Sequence, residues 1–186
     1  MFVRTRKKRA PVLKALRVLS LMPDIYNLEL IGSGSLSVMA KPVAGEWIDD
    51  EFSGISNYGI NRIVSLLERS EAYDVGLKDE NIYAEKNQIE FVSYPIPDRG
   101  LPESVIEFSK FTKGIYHSAA EGNNIVIHCR AGIGRTGMVA AGVLLHCGFT
   151  AVQAFEHISN KRGVSVPDTP EQENWVIENQ NVILNT

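Results

Sequence analysis

The chain has 186 residues, 44% of them hydrophobic, and a formal net charge of −3. That length points to one domain with a sizeable core, and no uninterrupted apolar run approaches the ~18 residues that a membrane span needs. Two cysteines, Cys129 and Cys147, are too few for a disulfide framework, so a reducing, cytoplasmic setting is expected.

The charge is unevenly spread. Residues 1–22 hold seven bases, from Arg4 to Arg17, and no acid, whereas residues 23–186 hold 12 bases against 22 acids, a net −10. So acidic a body argues against a general nucleic-acid binder. Within the basic start, "APVLKALRVLSLM" has the spacing of a basic amphipathic helix. It suits weak contact with an anionic membrane surface, an organellar transit peptide, or a plain extension packed on the body.

"LELIGSGSLSVMAKP" (28–42) reads as two short strands about a Gly-Ser turn. "GEWIDDEFSGISNYG" reads as a helix, "INRIVSLL" (60–67) as a buried strand, "SEAYDVGL" as one short helix and "QIEFVSYPI" (88–96) as a further strand. Pro102 is expected in the first turn of the next helix, whose stripe is Val105, Ile106, Phe108 and Ile115. "NNIVIHC" is apolar throughout, like a strand covered on both faces. A helix over 135–147 then stops at Gly148. Thr150 with Gln153, and Thr169 with Gln172, are expected to form capping boxes for the last two helices. Strands alternating with helices predict a single α/β domain.

One stretch asks for chemistry. In "IVIHCRAGIGRTG" (125–137) a strand ends in His128-Cys129, passes Gly132 and Gly134, and meets Arg135-Thr136 at a helix start. A tight arc there can turn successive N–H groups inward, forming with the helix N-terminus a cradle the size of a phosphate. Arg135 adds a planar fork for two phosphate oxygens. The same donors favour the thiolate of Cys129, and Thr136 can hydrogen-bond it. A nucleotide-binding loop does not fit, because the lysine of G-x-x-x-x-G-K-[ST] is missing.

"HCRAGIGRTG" resembles the H-C-x-x-G-x-x-R-[ST] signature of the cysteine-dependent protein tyrosine phosphatase superfamily, and the resemblance covers roughly residues 35–180. It implies a central, mostly parallel sheet flanked by helices, with residues 1–26 as a basic extension and 27–186 as the phosphatase-like domain. Cys129 becomes the nucleophile, Arg130, Ala131, Gly132, Ile133, Gly134 and Arg135 the phosphate loop, and His128 the residue that orients the cysteine. His117, His146 and His157 match no role and are expected on helices. No metal-ligand spacing is visible, so neither metal nor cofactor is expected.

Phosphoester cleavage also needs a proton for the leaving oxygen. "YPIPDRGLP" (94–102) offers Asp98 between stiffening prolines, and it resembles the family's mobile acid loop. Gln172, in "VPDTPEQEN", either caps a helix or matches the glutamine that positions hydrolytic water in larger tyrosine phosphatases. Asp168 beside it is a weaker candidate. Cys147 lies about 18 Å along the helix from Arg135 at 1.5 Å per residue, too far for a disulfide with Cys129, and is expected in the core.

"GEWIDDEF" and "INRIVSLLERSEAYDVGL" resemble compact dual-specificity, kinase-associated and microbial members. The implied substrate is a phosphotyrosine-bearing protein, with phosphoserine or phosphothreonine as an option. Arg130 keeps a phosphoinositide or inositol phosphate open as an alternative. A non-catalytic phosphate-binding module is a further alternative, and intact Cys129, Arg135 and Asp98 count against it. A sulfur-transfer or arsenate-reducing enzyme has no use for Asp98.

Overall fold

Alternation within the strands separates two cores. In the computed structural model, which describes residues 23–186, strand β5 (Asn124–His128) sends Ile125 and Ile127 into one apolar cluster and Val126 into another, as a period of two requires. Strand β3 (Arg62–Ser65) does the same with Val64 and Ile63. Burial of each such side chain is worth about 1.5–3 kcal/mol, which explains the unbroken apolar run Ile125–Ile127 between Asn124 and His128.

Both strands belong to a five-stranded sheet of order β1-β2-β5-β3-β4. β1 (Tyr26–Ile31) and β2 (Gly34–Met39) form the hairpin expected around Gly32-Ser33, antiparallel to each other. β2, β5, β3 and β4 (Glu90–Ser93) run parallel. Helix α1 (Ile48–Asn57), entered through a 3-10 turn (Gly45–Trp47), packs on one face together with α3 (Glu80–Lys86). Between them in the chain lies α2 (Arg69–Asp74). The other face carries α4 (Val105–Ala120), α5 (Gly134–His146), α6 (Ala151–Arg162) and α7 (Pro170–Asn185). The α/β expectation of a mostly parallel sheet between helices therefore holds.

Four details differ from the sequence reading. The segment after β3 folds into two helices, because Leu77 and Ala84 are buried and carry the chain through a second turn that "SEAYDVGL" alone did not announce. Pro102 lies outside α4, which instead begins at Val105 behind the N-cap Ser104, whose side chain accepts from Glu107 N. Ile106 leaves the apolar stripe and is 48% exposed; the buried line is Phe108, Thr112, Ile115 and Ala119. Thr150 and Gln153 form a full capping box, but Thr169 and Gln172 form only half of one. Thr169 accepts from Gln172 N, while the Gln172 side chain is drawn inward by a different partner, Gly100 O.

The three remaining histidines, His117, His146 and His157, all lie on helices. Cys147 caps α5 at partial burial, and that burial, ahead of the charge of Glu29, pushes its thiol up to about 11.

Candidate active site

β5 is flanked by β2 and β3, so the loop leaving its carboxyl end meets the loops that follow the neighbouring parallel strands, where α/β sheets place their sites. That loop begins at Cys129. Gly132 within it has φ +70, and a Cβ on it would meet Met39 O at 2.2 Å. Only glycine allows both the left-handed turn and so close an approach to the end of β2.

The loop carbonyls are held from outside. His128 Nδ1 is 3.2 Å from Cys129 O, Lys41 N donates to Arg130 O at 3.2 Å, and Arg162 Nη2 donates to Ala131 O at 3.3 Å. In a trans peptide the N–H points opposite its C=O. Outward carbonyls at 129, 130 and 131 therefore aim the N–H groups of Arg130, Ala131 and Gly132 inward. The N-terminus of the 13-residue α5 adds its partial positive charge behind them.

Arg135 sits in the first turn of α5 and is only 2% exposed. Glu71 takes it in a two-pronged grip, Nη1 to Oε2 at 2.7 Å and Nη2 to Oε1 at 2.8 Å, and Nη1 also donates to Ile96 O at 3.1 Å. Burial on its own disfavours the cation. The Glu71 hydrogen bonds and then the charges of Cys129, Glu71 and Asp98 outweigh it and raise the Arg135 pKa. Glu71 is held below the usual carboxylate range, chiefly by its hydrogen bonds to Arg135 against the opposing effect of burial.

Asp98 arrives from the loop after β4, where Gly100 N closes a turn on Pro97 O at 2.8 Å and Arg99 has φ +55. Its side chain is 55% exposed, and Oδ1 accepts from Arg135 Nη2 at 2.9 Å. Asp98, Cys129 and Arg135 line one cavity of about 200 Å³ together with Arg130, Asp168 and Gln172. Ala131, Ile133 and Gly134 belong to the same wall, and Arg99 pairs loosely with Asp168 across the rim at 3.6 Å.

Gln172 is fully buried; Nε2 donates to Gly100 O at 3.2 Å, and Oε1 has no hydrogen-bond partner among the described residues. A Cβ on Gly134 would lie 2.7 Å from that oxygen, so the amide abuts the phosphate loop and ties it to the Asp98 loop. Thr136 is fully buried too, but among the described residues its hydroxyl has no hydrogen-bond partner, so the expected bond to Cys129 is not made. It is an unspent polar group in the first turn of α5.

Glu71, Glu80 and Arg162 escaped the sequence reading. Each lies on a helix in an ordinary charged pattern, and its partner is far away in the chain. No local signal separates Glu71 from Glu68.

Comparison with known proteins identifies the family. Residues 37–149, well over half the chain, match the family described as "Polymorphic toxin system, DSP-PTPase phosphatase" (Tc-R-P). The chain belongs to this family of dual-specificity and tyrosine phosphatases. It is similar to the protein named "Putative tyrosine phosphatase 197R" of Invertebrate iridescent virus 6, at 30% identity over 125 residues, 62% of this chain and 47% of the viral protein. The chain thus spans about half the length of that relative. Among solved structures, kinase associated phosphatase with serine in place of its catalytic-site cysteine superposes with a TM-score of 0.79 at 21% identity, over 88% of this chain and 97% of that one. Tk-PTP in its active form gives 0.66 at 25% identity, over 84% and 97%.

Proposed function

We propose that the protein hydrolyses phosphomonoesters through a cysteinyl-phosphate intermediate, with phosphotyrosine in a protein as its main substrate and phosphoserine or phosphothreonine as secondary ones. The observation that carries this reading is the convergence of Cys129, Arg135 and Asp98 on one cavity, with Asp98 in contact with the arginine.

The phosphate enters the arc of inward N–H groups, and two of its oxygens take the Arg135 fork. In doing so it competes with Asp98 for Nη2, which frees the carboxyl group to turn toward the ester oxygen. Cys129 Sγ bonds to phosphorus as the P–O ester bond breaks, and protonated Asp98 gives its proton to the leaving oxygen. Charge spreads over the three equatorial oxygens in a loose transition state, which Arg135 and the N–H groups stabilise. Water then attacks phosphorus, its proton passes to Asp98, and the P–S bond breaks. The buried, unpartnered Oε1 of Gln172 is suited to hold that water. His128 fixes the Cys129 carbonyl from the strand.

A catalytic thiol suits a reducing, cytoplasmic setting. Similarity to the viral protein 197R, as named above, and to Tk-PTP supports phosphotyrosine first. Weak anionic-membrane contact through residues 1–22 remains a separate proposal, since those residues lie outside the described ones. The activity test is turnover of a phosphotyrosyl peptide and an aryl phosphate by the wild type, and its loss in Cys129→Ser. Equal turnover by the serine variant contradicts the reading.

A further inference from the structure

Behind the phosphate loop lies a buried acid that the reaction scheme does not use. Glu80, in the first turn of α3, is 2% exposed, and His128, at the end of β5, is 0% exposed. His128 Nε2 lies 2.8 Å from Glu80 Oε1. The approach is too bent for a well-formed hydrogen bond, and neither atom has another partner among the described residues.

Chemistry decides what must lie between them. The other ring nitrogen, Nδ1, faces Cys129 O at 3.2 Å. A carbonyl only accepts, so Nδ1 carries a hydrogen. In a singly protonated ring Nε2 would then be a bare acceptor pointing at a carboxylate oxygen, and two acceptors so close repel. A hydrogen between Nε2 and Oε1 turns that repulsion into attraction, whichever of the two atoms holds it more tightly. It also spares the buried Oε1 of Glu80 from standing unpaired, which is costly.

We propose that Glu80 is a positioning residue: through its 2.8 Å contact with His128 Nε2 it holds the ring so that Nδ1–H stays on the Cys129 carbonyl and the nucleophile keeps its place. A carboxylate that fixes the orientation of a functional histidine in this way is a general arrangement. The rest of the loop has independent anchors, Lys41 N on Arg130 O, Arg162 on Ala131 O and Glu71 on Arg135. Losing Glu80 therefore loosens the cysteine end and leaves the phosphate cradle standing. The effect belongs in kcat and not in KM. This rests on Cys129 being the nucleophile.

The test pairs kinetics with nitrogen NMR of His128 in the full chain. In the wild type neither ring nitrogen should show the shift of a bare imidazole nitrogen. Glu80→Ala should lower kcat on an aryl phosphate by about tenfold, the lower end of the cost of losing such a carboxylate, with KM within about twofold. Glu80→Gln, whose amide can donate to Nε2, should restore most of kcat while moving Nε2 to the bare-nitrogen shift. A bare Nε2 in the wild type overturns the proposal, as does wild-type kcat in a folded Glu80→Ala. If the alanine variant fails to fold, the wild-type and Glu80→Gln spectra still decide. Failure of the nucleophile reading looks different, with Cys129→Ser still turning over while the His128 signature stays intact.

Discussion

Glu71 holds Arg135 through both carboxylate oxygens, at 2.7 and 2.8 Å, across 64 residues of chain. The grip fixes the plane of the guanidinium, so the fork meets a phosphate without first having to be ordered. Preorganised donors of this kind are what transition-state stabilisation requires. Glu71→Gln keeps the shape but removes the charge and one acceptor. It should lower kcat/KM on an aryl phosphate by about tenfold or more, equivalent to at least ~1.4 kcal/mol. Because the folded state holds Glu71 below its ordinary range, the pair stabilises the fold above that range and loses its contribution as pH falls through the lowered value. Thermal melts across the acid range should show a shallower pH dependence in Glu71→Gln. Identical profiles contradict the coupling.

Asp98 occupies Arg135 Nη2, a nitrogen that a phosphate bound as proposed would also take. Asp98→Ala should therefore do two opposite things. Turnover of phosphotyrosine should fall ~10²–10⁴-fold for want of a proton donor, and an activated aryl phosphate, whose phenol leaves readily, should suffer less. Meanwhile binding of tungstate or vanadate should tighten, because a competitor for the arginine has gone. Weaker oxyanion binding in a folded variant contradicts the competition.

Gln172 bridges the two loops, and its free oxygen lies against Gly134. Gln172→Ala should slow the hydrolytic second step more than phosphoryl transfer to Cys129. With an activated aryl phosphate, stopped-flow traces should show a burst approaching one equivalent of phenol, followed by a slower steady state. A lowered rate without a burst places the residue in the first step instead.

Gly132→Ala tests the arc itself. The left-handed angle costs about 1–2 kcal/mol for any other L-residue, and the added methyl would lie 2.2 Å from Met39 O. The loop must shift, so oxyanion affinity and kcat/KM should both fall by at least tenfold. Near-normal affinity by calorimetry contradicts the requirement for that turn.

The phosphate loop was legible because its chemistry is local: strand, Cys129, glycine arc and Arg135 lie within a few residues of one another. The sheet was legible for the same reason, since Ile125, Val126 and Ile127 declare a strand buried on both faces. Glu71, Glu80 and Arg162 were not, because a helix-borne charge shows its partner only after folding, here 64, 48 and 31 residues away. Gln172 was ambiguous for a different reason. Its backbone N–H serves the cap while its side chain serves the cavity, and a sequence pattern cannot separate the two. Helix α3 was missed because its buried face is short, carrying only Glu80 and Ala84.

The claim on which the rest depends is a phosphorus–sulfur bond at Cys129. Rapid quenching of the Gln172→Ala variant with an aryl phosphate, followed by peptide mapping and phosphorus NMR, tests it directly. The account predicts a thiophosphate resonance and a phosphate adduct on the peptide containing Cys129, both lost in Cys129→Ser. Steady turnover with no adduct on sulfur, or an adduct on any other residue, contradicts it.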